Sequence, residues 1–110
     1  MDPIRLLDLG TVSPLRSQTI YHAVGYALGA ESPDTILLVS PDAPYVSIGR
    51  HQDVDREVDL DYCREHGFPV VRREVGGGAV YLDGNQLFTQ WIFQAADLPA
   101  TVEERFKVYI

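Results

Sequence analysis

The sequence holds one cysteine, Cys63, and one lysine, Lys107. A single thiol forms no intrachain disulfide, so no bridge staples this fold. One cysteine and three scattered histidines give no zinc-ligand spacing, and no metal site is expected. Apart from the pair Arg72-Arg73 there is no basic cluster. A face that tracks a nucleic-acid backbone needs many more cations, so nucleic acid is not expected as a partner. No apolar run approaches the ~20 residues that a membrane span requires. The start, "MDPIRLLDLG", carries an early aspartate and a short apolar run, unlike a secretory signal. These absences point to a cytoplasmic protein with no membrane partner.

What remains is ordinary for a globular protein: 110 residues, 45% hydrophobic and 23% charged. The length suits one small domain or part of a larger one. The formal charge of −7 is spread along the chain, which reads as an acidic, solvated surface.

Hydrophobic patterning places the elements. Residues 4–9, "IRLLDL", read as a first strand ended by Gly10. Ser13 is an N-cap and Pro14 a first helical residue, so a helix follows. Leu15, Thr19, Ala23, Val24, Ala27 and Leu28 fall on one face of it, with Gly29 as a stop. Gly25 weakens that helix or admits another backbone. "TILLVS" (35–40) reads as a strand buried on both faces, and "YVSIG" (45–49) as an alternating one. A short helix runs from the cap Asp59 to Gly67. Strands are expected at 68–73, 79–82 and 86–93. "DGN" (83–85) reads as a hairpin turn pairing the last two. Thr101 and Glu104 form a capping-box pattern, so a helix begins near 102. Phe106, Tyr109 and Ile110 would be its core-facing stripe, cut short, as though the chain stopped inside an element of a truncated or split domain.

One stretch carries chemistry: "RREVGGGAVYLDGNQLF", residues 72–88. A run of three glycines is entropically costly to order. A fold that keeps one brings bare backbone close to something and exposes N–H donors there. Arg72 and Arg73, adjacent on a strand, point to opposite faces, so one of them can aim at a ligand. A guanidinium beside a backbone nest suits a phosphate or a carboxylate. The loop has neither the "GxxxxGK[ST]" of a P-loop nor the helix that follows a Rossmann "GxGxxG". Arg73 is the first candidate for contact with the phosphate or carboxylate and Arg72 the second; the alternative for both is a surface salt bridge with Glu57, Glu65 or Glu74, and Asp83 could equally be a plain turn residue.

"RREVGGGAVYLDGNQLFTQ", with "PYVSIGRHQD" (44–53) before it and "SQTIYHAVGYAL" (17–28) where a first helix belongs, resembles the lipoate–protein ligase family. That family is grouped with octanoyltransferases and biotin–protein ligases. Its usual pattern is an Arg-Arg pair, two variable residues, Gly-Gly-Gly-Ala-Val, an aromatic, His-Asp and a nearby Gly-Asn. Leu82 stands where the family commonly has the histidine, Gly84-Asn85 comes one residue early, and Asp53 replaces an asparagine. No "GRGRxGRxW"-like run points to biotin.

The resemblance implies an α/β (α+β) fold: a mixed, mainly antiparallel sheet with helices packed on one side, of the class II synthetase-like biotinyl/lipoyl ligase type. It would be incomplete, with residues 1–110 forming the N-terminal part of a single catalytic domain. It implies ATP-dependent activation of lipoate or a related acid to an acyl-adenylate, Mg²⁺ arriving with the nucleotide. The acyl group would pass to a lysine of a carrier domain, a lipoyl domain or a glycine-cleavage H-type protein. A second chain could complete the domain. By the same resemblance Arg72, Arg73, Gly76, Gly77, Gly78, Ala79, Val80, Tyr81, Asp83 and Gln52 are the candidate substrate-binding residues. Val71, Val80, Tyr81 and Leu82 are candidate walls of an acyl slot. The family's catalytic lysine belongs to a segment beyond residue 110; Lys107 does not match it, and no catalytic residue is assigned. An ATP-independent octanoyl- or lipoyl-transferase of the same fold, or a non-catalytic acyl-binding or regulatory partner, stands as the alternative.

Overall fold

A computed structural model describes residues 2–109. Its strands are β1 (Arg5–Val12), β2 (Thr35–Pro41), β3 (Tyr45–Ile48), β4 (Val70–Arg72), β5 (Val80–Leu82) and β6 (Phe88–Ile92). The helices are α1 (Pro14–Ala27), α2 (Val54–Glu57), α3 (Leu60–His66) and α4 (Val102–Tyr109), with a 3₁₀ turn at Ala95–Asp97 before the last. The result is a mixed α/β fold. The strands form two three-stranded sheets, β1-β2-β6 and β4-β3-β5. Each has one parallel and one antiparallel ladder: β1 and β4 run parallel to β2 and β3, while β6 and β5 run antiparallel to them.

The turn at 83–86 forms, but it does not close a hairpin. The Asp83 carbonyl accepts from the Gln86 amide, and the Asp83 carboxylate from Asn85 N–H at 2.9 Å. The strands on either side then part, β5 joining β3 and β6 joining β2. The expected pairing of 79–82 with 86–93 is therefore corrected: the turn carries the chain from one sheet to the other. β1 also differs. It runs through Gly10 to Val12, with a register shift between Asp8 and Gly10 and a positive φ of 63° at Gly10, so the glycine makes a bulge and not an end. β2 alternates between fully and partly buried residues, so only one of its faces is sealed.

Helix α1 starts as its sequence dictates. Ser13 Oγ accepts from Arg16 N–H, and Pro14 opens the helix. Its packed face is not the expected apolar stripe. Leu15, Thr19, Ala23 and Ala27 are exposed, whereas Ser17 and Gln18 are buried. The buried polar face is stabilised by Tyr45, itself fully buried, whose hydroxyl meets Ser17 Oγ at 2.7 Å and accepts from Gln18 Nε2 at 2.8 Å. A polar group is tolerated in a core when its hydrogen bonds are satisfied there. Gly25 has open space above it, so no backbone approaches there.

Because α1 contacts β2, β6 and β4, it bridges the two sheets. The sealed core is small: Leu37, Val39, Tyr45, Ile48 and Cys63. The α3 caps match the sequence, with Asp59 at the start and Gly67 at a φ of 69° at the end. Thr101 Oγ1 caps α4 by accepting from Glu104 N–H. Phe106 is exposed, contrary to its expected inward role; the side chain of Tyr109 and all of Ile110 lie outside the described residues. Among the described residues no helix is long and apolar enough to cross a membrane.

Candidate functional site

The site is built on the β4-β3-β5 sheet. Side chains of in-register neighbours share a face. Ser47 is level with Val71 and Val80, and Tyr45 with Leu82. Tyr45, Ser47, Val71, Val80 and Leu82 therefore face α1. Val46, Val70 and Tyr81 face the other way, toward α3. Three of the four candidate slot walls thus share one face. Tyr81 does not join them; it packs edge-on against Phe68, with ring centres 5.7 Å apart. Burial and the nearby Asp83 raise the Tyr81 hydroxyl above its ordinary pKa.

Arg73 follows the alternation onto the α1 side. Its Nη1 donates to Ser47 Oγ at 2.8 Å. Its Nη2 donates to the carbonyls of Gly76 at 3.1 Å and Gly78 at 2.8 Å. A trans peptide is planar, with its C=O and N–H pointing in opposite directions. Carbonyls 76 and 78 turned to the guanidinium turn the N–H groups of Gly77 and Ala79 away from it. Gly77 adopts a φ of 107°, which only glycine takes without strain. The loop is a backbone cradle whose carbonyls at 76 and 78 are held by a cation, with the N–H groups of Gly77 and Ala79 on the side away from it.

Arg72 lies on the opposite face and does different work. Its Nη1 donates to three carbonyls, Gly49 at 3.1 Å, Arg50 at 3.1 Å and Gln52 at 2.7 Å. The Gln52 side chain accepts from Gly49 N–H at 2.9 Å, closing the same turn from inside. Neither arginine takes part in the ion pairs found among the described residues, so the salt-bridge alternative is not what the structure shows. Asp83 is occupied by its own turn.

Glu74 ties the loop to α1. Its carboxylate accepts from the Tyr26 hydroxyl at 2.6 Å and lies 3.7 Å from His22 Nδ1. That hydrogen bond and the carboxylate's charge raise the Tyr26 hydroxyl above its ordinary pKa. Tyr21, one turn earlier, donates to Gln18 Oε1. Burial raises the Tyr21 pKa, and the Arg73 guanidinium partly offsets it, which places the phenol within the arginine's field.

Beside this assembly is an open cleft of about 380 Å³ lined by Gln18, Tyr21, Leu82, Phe88, Thr89 and Gln90. Its volume lies toward the lower end of the range of small-molecule pockets. A larger cleft, about 620 Å³, lies away from the glycines between 30–34 and 94–97. Asp2, Glu31, Asp34 and Asp97 line it, a poor berth for a carboxylate or a phosphate. Among the described residues no group of three His, Cys, Asp or Glu could hold a metal ion.

Sequence reasoning missed Ser47, Gly49, Tyr45, Gln18 and Tyr21. The polar spacing of Ser17, Gln18, Tyr21 and His22 along one helix face was the available signal. For Gly49 the signal was a glycine at a strand end, four residues after Tyr45.

Residues 15–110 match the Lipoyl protein ligase A/B catalytic domain family. The chain belongs to that family. The octanoyltransferase LipM of Kyrpidia tusciae is 32% identical over 110 residues, covering 98% of this chain and 40% of the relative. Lipoate-protein ligase A subunit 1 of Thermoplasma acidophilum is 34% identical over 97 residues, covering 88% of this chain and 37% of the relative. The crystal structure of lipoate-protein ligase A bound with ATP superposes with a TM-score of 0.85 at 28% identity, over 96% of this chain and 42% of that one. The structure of protein Ta0514 from T. acidophilum with bound lipoic acid gives 0.81 at 31% identity, over 96% and 44%. The fold is thus that of the lipoate–protein ligases. The chain spans less than half the length of these relatives and solved chains.

Proposed function

We propose that this chain forms the acyl-acid-binding part of a lipoate–protein ligase that works in the cytoplasm. The observation that carries the reading is the glycine loop, with the Gly76 and Gly78 carbonyls held by Arg73 and the N–H groups of Gly77 and Ala79 pointing away from the guanidinium. Two fixed donors of this kind stabilise negative charge developing on an acyl or phosphoryl oxygen. The acyl tail would lie on the α1 side against Val71, Val80 and Leu82 and enter the cleft bounded by Tyr21 and Phe88. Its carboxylate oxygen would attack the α-phosphorus of ATP, forming the acyl-adenylate and releasing pyrophosphate. A carrier lysine would then attack the acyl carbon, forming the amide and expelling AMP. Mg²⁺ would come coordinated to the triphosphate. A solved relative with ATP and another with lipoic acid support both substrates.

The reading also places the remainder of the catalytic domain, with the lysine it carries, on further polypeptide. A T. acidophilum relative named as a subunit supports a two-chain arrangement, and a solved bi-partite ligase with its E2 lipoyl domain supports a lipoyl carrier as partner. The experiment supplies that remainder from a relative, together with lipoate, ATP and a lipoyl domain. Pyrophosphate release and a lipoylated lysine are expected. Acyl transfer from an octanoyl carrier with no ATP requirement would instead establish the second reading, an octanoyltransferase, which the LipM relatives favour.

A further inference from the structure

We propose that Arg72 is a positioning residue for the glycine loop, acting through the turn at 49–52 without touching the loop itself. The inference rests on the reading of that loop as the berth of an activated acid.

The turn is held at its centre by Arg72, whose Nη1 gathers the carbonyls of Gly49, Arg50 and Gln52. Three carbonyl dipoles converging on one point repel one another unless a cation sits among them. The turn in turn supports the loop at two places. Arg50 N–H donates to the Val75 carbonyl at 3.0 Å. The bare α-carbon of Gly49 packs on Gly77, leaving no room for a side chain. The loop residue in contact with Gly49 is the one at a φ of 107°. The load path is Arg72, then the 49–52 turn, then Val75 and Gly77. Arg73 reaches Gly76 and Gly78 directly from the other face. The paired arginines on one strand thus brace a single loop from two sides, one at first hand and one through an intermediary.

The donor geometry separates the two roles. All three Arg72 contacts fall on one nitrogen, and an ammonium with three donors can serve such a cluster. The Arg73 contacts divide between Nη1 and Nη2, which only a planar fork spans. Lysine should therefore replace Arg72 in part and Arg73 hardly at all.

The test uses the full chain, ¹⁵N-labelled. In the turn the Arg50 amide is bonded to the Val75 carbonyl and the Gln52 amide to the Gly49 carbonyl, so amide exchange reads the turn there. The 75–78 amides have no such acceptor among the described residues, so the order of the loop is read there by the ¹H–¹⁵N heteronuclear NOE. In Arg72→Ala, the Arg50 and Gln52 amides should exchange about tenfold faster or more and the NOE at 75–78 should fall, while β2 amides hold their protection. Arg72→Lys should stay within about threefold of wild type in exchange, and Arg73→Lys should resemble Arg73→Ala in the NOE at 75–78. Gln52→Ala loosens the turn and leaves Arg72 in place, so it should lower the NOE at 75–78 in milder form; it also decides the matter if Arg72→Ala fails to fold. An unchanged NOE at 75–78 when the turn is loosened overturns the proposal, as does an Arg72→Lys protein as damaged as Arg72→Ala. A parallel titration with a non-hydrolysable lipoyl-adenylate analogue, against a completed domain, should show affinity falling in step with loop order. If the wild-type protein does not bind the analogue, the berth reading fails while the NOE data still settle how the loop is held.

Discussion

Gly49 and Gly77 meet backbone to backbone: a Cβ on Gly49 would collide with the Gly77 carbonyl oxygen. The two residues lie on different segments, one ending β3 and one inside the glycine loop. Their contact joins the "SIGRHQ" and "RREVGGG" stretches into one object.

Gly49→Ala should therefore cost more than an ordinary surface change. Backbone must shift, since no flexible side chain can give way; overpacking of this kind costs about 1–3 kcal/mol. Gly76→Ala is the control, because nothing lies within 4 Å of its Cβ position and its φ is not positive. Chemical denaturation of both variants checks the prediction. Equal stability of the two would mean that the contact is not tight in solution.

Arg73→Ala removes the cation that holds two loop carbonyls and the Ser47 hydroxyl. The fold should survive, since β4 keeps its ladder with β3. Affinity for an acyl-adenylate analogue in a completed domain should fall by about tenfold or more, ~1.4 kcal/mol per decade. Calorimetry on wild type and variant measures it. Equal affinity would show that the loop holds its shape without the guanidinium.

Much of this was legible in the sequence, for identifiable reasons. Ser13-Pro14, Asp59, Gly67 and Thr101 set helix ends through local hydrogen bonds and backbone freedom, and such signals travel with the sequence. The strand at 35–40, which runs one residue further in the structure, and the glycine loop between two strands were legible for the same reason. The partner of each strand was not. The Asp-Gly turn signals a reversal of direction, and only tertiary packing decides that β5 and β6 enter different sheets. The α1 face was misread because Ser17 and Gln18 count as polar until Tyr45, 27 and 28 positions away, satisfies them. The roles of Arg72 and Arg73 followed the same rule: alternation along the strand gave their opposite faces, but their carbonyl partners come from other segments.

Tyr45→Phe tests that buried polar contact. The hydroxyl is removed while the ring stays, so Gln18 Nε2 loses its acceptor in a sealed site. A buried unsatisfied donor costs about 1–3 kcal/mol. Urea denaturation should show a lower midpoint with an unchanged slope. A neutral result would mean that water or a rotated Gln18 takes the place of the hydroxyl.

The acidic cleft at 94–97 gives the last prediction, a dependence on pH. A hydrogen bond to Asp34, then that residue's charge, raise the Asp97 carboxyl above its ordinary value. The bond forms only while a proton is present. In the unfolded chain Asp97 has no such neighbour and releases its proton at a lower pH. The folded state therefore binds more protons at this site, and its contribution to stability falls as pH rises through the interval between the two values. Once both carboxylates are charged they repel each other across the cleft. Asp97→Asn keeps a hydrogen-bond donor toward Asp34 and removes the charge. The variant should melt above wild type at pH 7, and the difference should shrink as pH is lowered toward the ordinary carboxylate range. Melting curves of both proteins across that range measure it. A constant difference at every pH would show that the two carboxylates are not coupled.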